Sequence, residues 1–254
     1  MKKNLLKNKY TVLLILCILL SFIICLYANL YFKSSLYNRY YELYYRKKYG
    51  QNRKYIHSSD LFEINNDEKN NLFNKIENLS KVTGNSNFNN VKSNKINYHD
   101  LKSIIPKTLE IIESDDFLNK IENLVNAKIN LTNDYFDRIF CRSYINKGDS
   151  INWHYDNNFS RGRRFTLVIP IYINKENSSS LQYLNPSDNV VLNVIDNPNK
   201  LYIYEGDKIY HRVTEQVENG KRIVLIIPLY ESKFTNIGKI KMKLKNFIFK
   251  NLEL

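Results

Sequence analysis

The second half of the chain is built from short runs of β-forming residues. From about residue 137 to residue 230, runs rich in Val, Ile, Tyr and Phe follow one another, and turn sequences such as NKGD, NPSD and VENG separate them. Many short strands without intervening helices are typical of a β-sandwich or a β-barrel. The sequence therefore predicts an all-β core over residues 137–230.

The region before these runs is predicted to be helical. Apolar residues recur at helical spacing over 66–82 and over 106–128, and Pro106 suits a first helical turn. The polar, Asn- and Ser-rich stretch 83–97 predicts a loop. Helices followed by a run of strands indicate helices packed on the outside of a double-stranded β-helix. The predicted fold is therefore mainly β, a jelly-roll, cupin-like core with flanking helices over 59–128.

The N-terminal segment 10–32 contains no charged residue. Its length matches the roughly 20 apolar residues that span a bilayer. It is longer than the ~7–15 apolar residues of a cleaved signal peptide. We therefore expect a transmembrane anchor over 10–32, between a basic N-terminus (1–9) and a basic juxtamembrane stalk (33–58). Lys and Arg flank both ends, so the side of the membrane on which the domain lies stays open.

The net charge of +13 is unevenly distributed. Basic residues concentrate in 1–9, in 33–54 and in a C-terminal tail, 233–254, whereas the predicted domain over 59–232 is nearly neutral. A nucleic-acid-binding face would more often lie within the folded domain, and basic segments beside a membrane commonly contact lipid headgroups. This distribution favours membrane association without excluding nucleic acid. Cys141 is the only cysteine outside the predicted anchor, so no internal disulfide can form in the domain.

Two of the four histidines belong to a pattern that can bind a metal. His154 and Asp156 are two residues apart in a β-type run, so both side chains should point to the same face of the strand. His211 follows near the end of a later predicted strand, KIYHRV, and in a jelly roll such a late strand lies beside the strand of His154. Two imidazoles and one carboxylate form the facial triad that suits non-haem Fe(II) and leaves coordination positions open.

Two basic residues follow this pattern at a position where either could bind the carboxylate of a keto acid. Arg222 opens the run KRIVLIIPLY, the strand after the one that bears His211. Arginine binds carboxylates through two parallel hydrogen bonds and stays charged when buried. It could therefore hold the far carboxylate of a 2-oxoglutarate molecule chelated at the metal. The neighbouring Lys221 is a rival for this role.

Together these motifs resemble the Fe(II)/2-oxoglutarate-dependent oxygenases, in particular their prolyl-4-hydroxylase-like branch. The matching residues, in order, are Tyr144, Gly148, His154, Asp156, His211, Val213, Gly220 and Arg222. The resemblance implies that His154, Asp156 and His211 are iron ligands, that Arg222 or Lys221 binds 2-oxoglutarate and that Tyr144 assists. In place of the family's G-G-x-L motif this chain has SSSLQYL.

The implied activity is that of a membrane-anchored dioxygenase that uses Fe(II), 2-oxoglutarate and O2, with ascorbate as a further candidate. The anchor and the family branch favour hydroxylation of a protein side chain, of prolyl or lysyl type, with release of succinate and CO2. One alternative is an oxygenase acting on nucleic acid or lipid. Another is a catalytically inactive, membrane-tethered binding module, suggested by the missing glycines. The oligomeric state stays open.

Four further residues lie close to the predicted site. Arg161, Arg163 and Arg164 follow the His154 strand; a solvated turn is the favoured interpretation, and a site for an anionic substrate is the alternative. Trp153 is interpreted as part of the barrel wall rather than as a substrate platform.

Overall fold

The computed structural model describes most of the predicted domain and little of its flanks. The described residues are 12, 14–22, 56–60, 63–83, 87–88, 91–132, 138–158, 160, 162–174, 178–185, 188–194, 197–198, 200–232, 234, 238–240 and 243. Within them, no helix combines the length and the apolar character needed to cross a bilayer. Of the predicted anchor, Val12 and residues 14–22 are described, and these are helical and exposed. The rest of the anchor and most of the stalk and tail lie outside the described residues.

The helical region contains four named helices. They are α1 (Asn66–Thr83), α2 (Tyr98–Ile104), α3 (Pro106–Glu113) and α4 (Asp115–Val125). The single helix expected over 106–128 is thus two helices. The break lies at Ser114, whose backbone is extended and whose Oγ accepts a hydrogen bond from the Phe117 amide, which caps α4.

The described residues contain thirteen strands, of which the eight after residue 137 follow the sequence runs closely. They are β1 (Ile56–Ser59), β2 (Asn87–Phe88), β3 (Val91–Lys92), β4 (Asn94–Ile96), β5 (Asn130–Leu131), β6 (Phe140–Tyr144), β7 (Ser150–His154), β8 (Arg164–Ile173), β9 (Leu181–Leu184), β10 (Val191–Val194), β11 (Leu201–Tyr204), β12 (His211–Val213) and β13 (Arg222–Tyr230). The stretch expected to be a loop, 83–97, contains β2, β3 and β4. Their pairing with β7 and β6 outweighs a polar, Asn-rich composition that disfavours strands.

The strands form two antiparallel sheets. The major sheet has the order β1-β11-β8-β13-β6-β4, with β5 also paired to β13, and the minor sheet has the order β10-β9-β12-β7-β3-β2. From β6 to β13 the chain passes back and forth between the sheets, which is the winding of a double-stranded β-helix. The architecture is mainly β with flanking helices, as the sequence predicts.

The two faces of the major sheet have different neighbours. Along β13, Ile223, Leu225 and Ile227 belong to a large aliphatic core that includes buried residues of all four helices. Val224 points the other way, into a second cluster with residues of the minor sheet such as Ile151 and Val213. Because strand side chains alternate, Arg222 shares the inward face with Val224.

Candidate metal centre

The three residues of the predicted triad lie together at one end of the space between the sheets. His154 ends β7 and His211 begins β12, and the two are direct partners in the antiparallel register. Asp156 Oδ1 lies 3.8 Å from His154 Nε2 and 4.0 Å from His211 Nε2. One nitrogen or oxygen from each residue lies within 4.8 Å of the others. A single cation placed among these atoms could contact all three.

Hydrogen bonds fix the orientation of both imidazoles. His154 Nδ1 lies 2.8 Å from the carbonyl oxygen of Asn152, and His211 Nδ1 lies 2.8 Å from that of Ile209. A carbonyl oxygen only accepts, so each Nδ1 carries the proton and each Nε2 presents its lone pair to the cluster. Burial lowers the pKa of His154 and lowers that of His211 to about 4. Both rings are therefore neutral near pH 7, as metal ligands must be.

The second carboxylate oxygen of Asp156, Oδ2, is held by two neighbouring side chains. Thr166 Oγ1 donates to Asp156 Oδ2 at 2.5 Å, and Arg164 Nη1 forms an ion pair with the same oxygen. Burial opposes ionisation, but Arg164 and both imidazoles hold the pKa of this carboxyl below its ordinary range. Asp156 is therefore a carboxylate with Oδ1 directed at the histidines.

A glycine makes room for this carboxylate. A Cβ atom at Gly206 would overlap Asp156 Oδ2 and Thr166 Oγ1. The carbonyl oxygen of Gly206 also accepts a 2.8 Å hydrogen bond from the Asp156 amide. Sequence reasoning missed Gly206, because its role depends on a residue fifty positions earlier in the chain.

The two rival cations, Arg222 and Lys221, point to opposite sides of the major sheet. Arg222 is 1% exposed, and its guanidinium carbon lies 5.3 Å from the ring centroid of Tyr144, its partner in the β13–β6 register. Lys221 forms an ion pair with Glu77 of α1 and lies over the ring of Phe73. Arg222 thus lies inside the barrel with Tyr144, whereas Lys221 faces the helices.

Tyr204 on β11 also belongs to the cluster, although no sequence motif marked it. Its ring meets the His211 ring edge-on, with 5.0 Å between centroids. Burial, together with the charge of Asp156, raises the pKa of its hydroxyl well above the ordinary value. Tyr204 is therefore a neutral phenol packed against a candidate ligand. The alternation of Tyr202 and Tyr204 in the run LYIY was the available signal for inward-facing aromatic residues.

Of the nearby arginines, Arg164 differs from expectation. Arg164 is buried and paired with Asp156, so the solvated-turn interpretation is wrong for it. Arg163 is partly exposed and pairs with Glu231, and Arg161 lies outside the described residues. Trp153 stacks on Tyr210 at 5.3 Å between ring centroids. Since Tyr210 alternates with the inward-facing His211, Trp153 lies on the outer face of the minor sheet.

Comparison with known proteins supports the fold. No protein-family model matches the sequence, and no curated protein matches it. A prolyl hydroxylase from Trichoplax adhaerens, solved with a hypoxia inducible factor oxygen degradation domain peptide, matches with a TM-score of 0.51 and 16% identity, over 76% of this chain and 90% of that one. The non-haem alpha ketoglutarate dependent epimerase SnoN from nogalamycin biosynthesis matches with a TM-score of 0.53 and 9% identity, over 76% and 82%.

A third solved structure, HygX from Streptomyces hygroscopicus with nickel and 2-oxoglutarate bound, matches with a TM-score of 0.50 and 12% identity. The match covers 76% of this chain and 87% of HygX. Such likeness, at low identity, concerns the fold. The chain has the fold of the 2-oxoglutarate/Fe(II) oxygenases, including prolyl hydroxylases.

Proposed function

We propose that the chain is an Fe(II)- and 2-oxoglutarate-dependent dioxygenase. The observation that carries this proposal is the convergence of His154 Nε2, His211 Nε2 and Asp156 Oδ1, while the opposite atoms of all three side chains are engaged by the protein. Two imidazoles and one carboxylate oxygen are the donor set that non-haem Fe(II) takes in oxygenases. When bound, Fe(II) and 2-oxoglutarate supply O2 activation with release of succinate and CO2.

The protein's own groups divide the remaining work. Arg222 would bind the far carboxylate of 2-oxoglutarate, because it is a buried cation on the inward face of β13. Tyr144 lies against its guanidinium and would orient it. Tyr204 covers His211 and helps to keep water from the imidazole. Lys221 is the weaker candidate, since its charge is directed to α1.

We propose a protein side chain, of prolyl or lysyl type, as the substrate. The Trichoplax adhaerens prolyl hydroxylase, which has a similar fold, was solved with a peptide fragment. The alternatives are an oxygenase acting on lipid or nucleic acid, which the basic flanks favour, and an inactive binding module. An intact set of ligand atoms makes the inactive module the weakest of the three.

We also propose that segment 10–32 anchors the enzyme in a membrane. The segment contains no charged residue. In the described part, residues 14–22 are helical and their apolar side chains are exposed. Exposed apolar surface of this extent is unfavourable in water and favourable in lipid.

The test is turnover by the full chain in detergent. Supplied with Fe(II), 2-oxoglutarate, ascorbate and air, the protein should convert 2-oxoglutarate to succinate, and an Asp156→Ala variant should not. Candidate peptides incubated in the same reaction should gain one oxygen by mass spectrometry. Succinate without a modified peptide would support the enzyme but contradict the protein substrate. No succinate from a folded, iron-loaded protein would contradict both.

A further inference from the structure

We propose that Arg164 is a positioning residue for the metal site. It occupies Asp156 Oδ2 and so presents Oδ1 alone to the two histidines. This inference rests on the proposed function, because it gives Asp156 the role of a ligand.

The contacts around Oδ2 form an enclosed pocket. Arg164 begins β8 with a side chain 9% exposed, and its Nη1 reaches both Asp156 Oδ2 and Thr166 Oγ1, the latter at 2.8 Å. Thr166 in turn donates to Oδ2 at 2.5 Å. The backbone of Gly206 closes the remaining side, without space for a Cβ atom.

This arrangement links the two sheets. Arg164 and Thr166 lie on the same face of β8 in the major sheet, whereas Asp156 follows β7 of the minor sheet. The ion pair therefore ties the carboxylate to the major sheet, in addition to its covalent link to the strand that carries His154. Burying a charge pair costs desolvation energy that its attraction often only just repays. Positioning Asp156 as a metal ligand would account for the burial of the Arg164–Asp156 pair.

The pairing also determines how many coordination positions Asp156 can fill. A carboxylate can chelate a cation with both oxygens or bind it with one. With Oδ2 held by a guanidinium and a hydroxyl, only Oδ1 is available. Two histidines and one oxygen then leave three positions of an octahedral ion for other ligands. The same engagement makes Arg164 a poor candidate for binding an anionic substrate.

The experiment measures Co(II) binding to the full chain in detergent, without 2-oxoglutarate. Affinity is obtained by competition with a chelator, and the visible absorption of bound Co(II) reports its ligand geometry. We expect Arg164→Met to weaken Co(II) binding about 10–100-fold, as for other partners of metal ligands, and to change the spectrum. Arg164→Lys should recover part of the affinity. Arg163→Met, the same change one residue away, should match the wild type.

The other possible results distinguish a failure of the positioning role from a failure of the proposed function. A folded Arg164→Met protein with wild-type affinity and spectrum would overturn the positioning role while leaving the proposed function intact. A wild-type protein that binds no Co(II) would overturn both. If Arg164→Met does not fold, the near-isosteric Thr166→Val variant removes one of the two donors to Oδ2. It should weaken binding and shift the spectrum, and unchanged values would overturn the proposal.

Discussion

The two faces of the major sheet use the same strands for opposite purposes. The face toward the helices is a continuous aliphatic core, supplied by residues such as Leu167, Ile203 and Leu225. The face toward the minor sheet carries Arg164 and Arg222 among apolar neighbours. The helix-facing side therefore provides stability, which offsets the cost of burying charged side chains on the inward side, where the candidate metal centre lies. Substitutions on the two faces should separate folding from binding.

The largest effect is expected on the helix-facing side. Leu225 is fully buried in the aliphatic core, so Leu225→Ala should lower the free energy of unfolding by about 2–5 kcal/mol. Urea unfolding followed by circular dichroism measures this change. Co(II) affinity of the folded variant should stay within about twofold of the wild type, because the metal cluster lies on the other face. A much larger loss of Co(II) affinity would contradict the claim that the two faces serve folding and binding separately.

A smaller effect on the inward side should appear in metal binding. Gly206→Ala places a Cβ atom where Asp156 Oδ2 and Thr166 Oγ1 now lie. Displacing the carboxylate should weaken Co(II) binding by up to about 100-fold, measured by chelator competition. Gly148→Ala is a suitable control for adding a methyl group away from the cluster, since a Cβ there meets no atom within 4 Å, although its positive φ adds strain. Equal affinities for the two variants would contradict the close packing around Asp156.

Arg222 and Lys221, neighbours in sequence, should differ in their contributions to 2-oxoglutarate binding. Arg222→Ala should weaken 2-oxoglutarate binding about 10–100-fold, the equivalent of one lost charge-assisted interaction. Lys221→Ala should change it little, because Lys221 faces α1. Isothermal titration of the metal-loaded protein under nitrogen measures both. The reverse order would assign the carboxylate to Lys221 and contradict the inward and outward directions described above.

The smallest effect concerns pH. Burial lowers the pKa of both histidines, that of His211 to about 4. Protons compete with the metal only once pH approaches these values. Co(II) affinity should therefore fall clearly less between pH 7.5 and pH 6 than the roughly tenfold loss expected for two histidines with ordinary pKa values near 6.5. A tenfold loss would show that the imidazoles are not buried as described.

The sequence was informative where chemistry requires particular residue types at fixed spacing. H-x-D and a later His predicted the cluster, although β7 ends at His154 and Asp156 lies just beyond the strand. The directions of Arg222 and Lys221 could not be predicted without the strand's exact start, since a shift of one residue exchanges the two faces. The run of strands after residue 137 was predictable for a different reason, because short runs of Val, Ile, Tyr and Phe alternate there with turn sequences.

Other features depended on contacts between distant segments. Arg164 lies in an arginine-rich stretch that resembles an exposed turn, and only its position opposite Asp156 shows why it is buried. The strands within 83–97 are two or three residues long and owe their existence to the sheets they join. The helix break at Ser114 was easier to predict from the sequence, since Ser followed by Asp115 and Asp116 is a typical helix start.

The most direct test of the central claim is the visible spectrum of the anaerobic protein with Fe(II) and 2-oxoglutarate. A keto acid chelated at Fe(II) through the open positions of a two-histidine, one-carboxylate site should give a weak charge-transfer band in the visible region. We predict this band for the wild type and its loss in His211→Ala, with circular dichroism confirming that both are folded. No band in the folded wild type, or a band that persists in His211→Ala, would contradict the assignment of this cluster as the iron site.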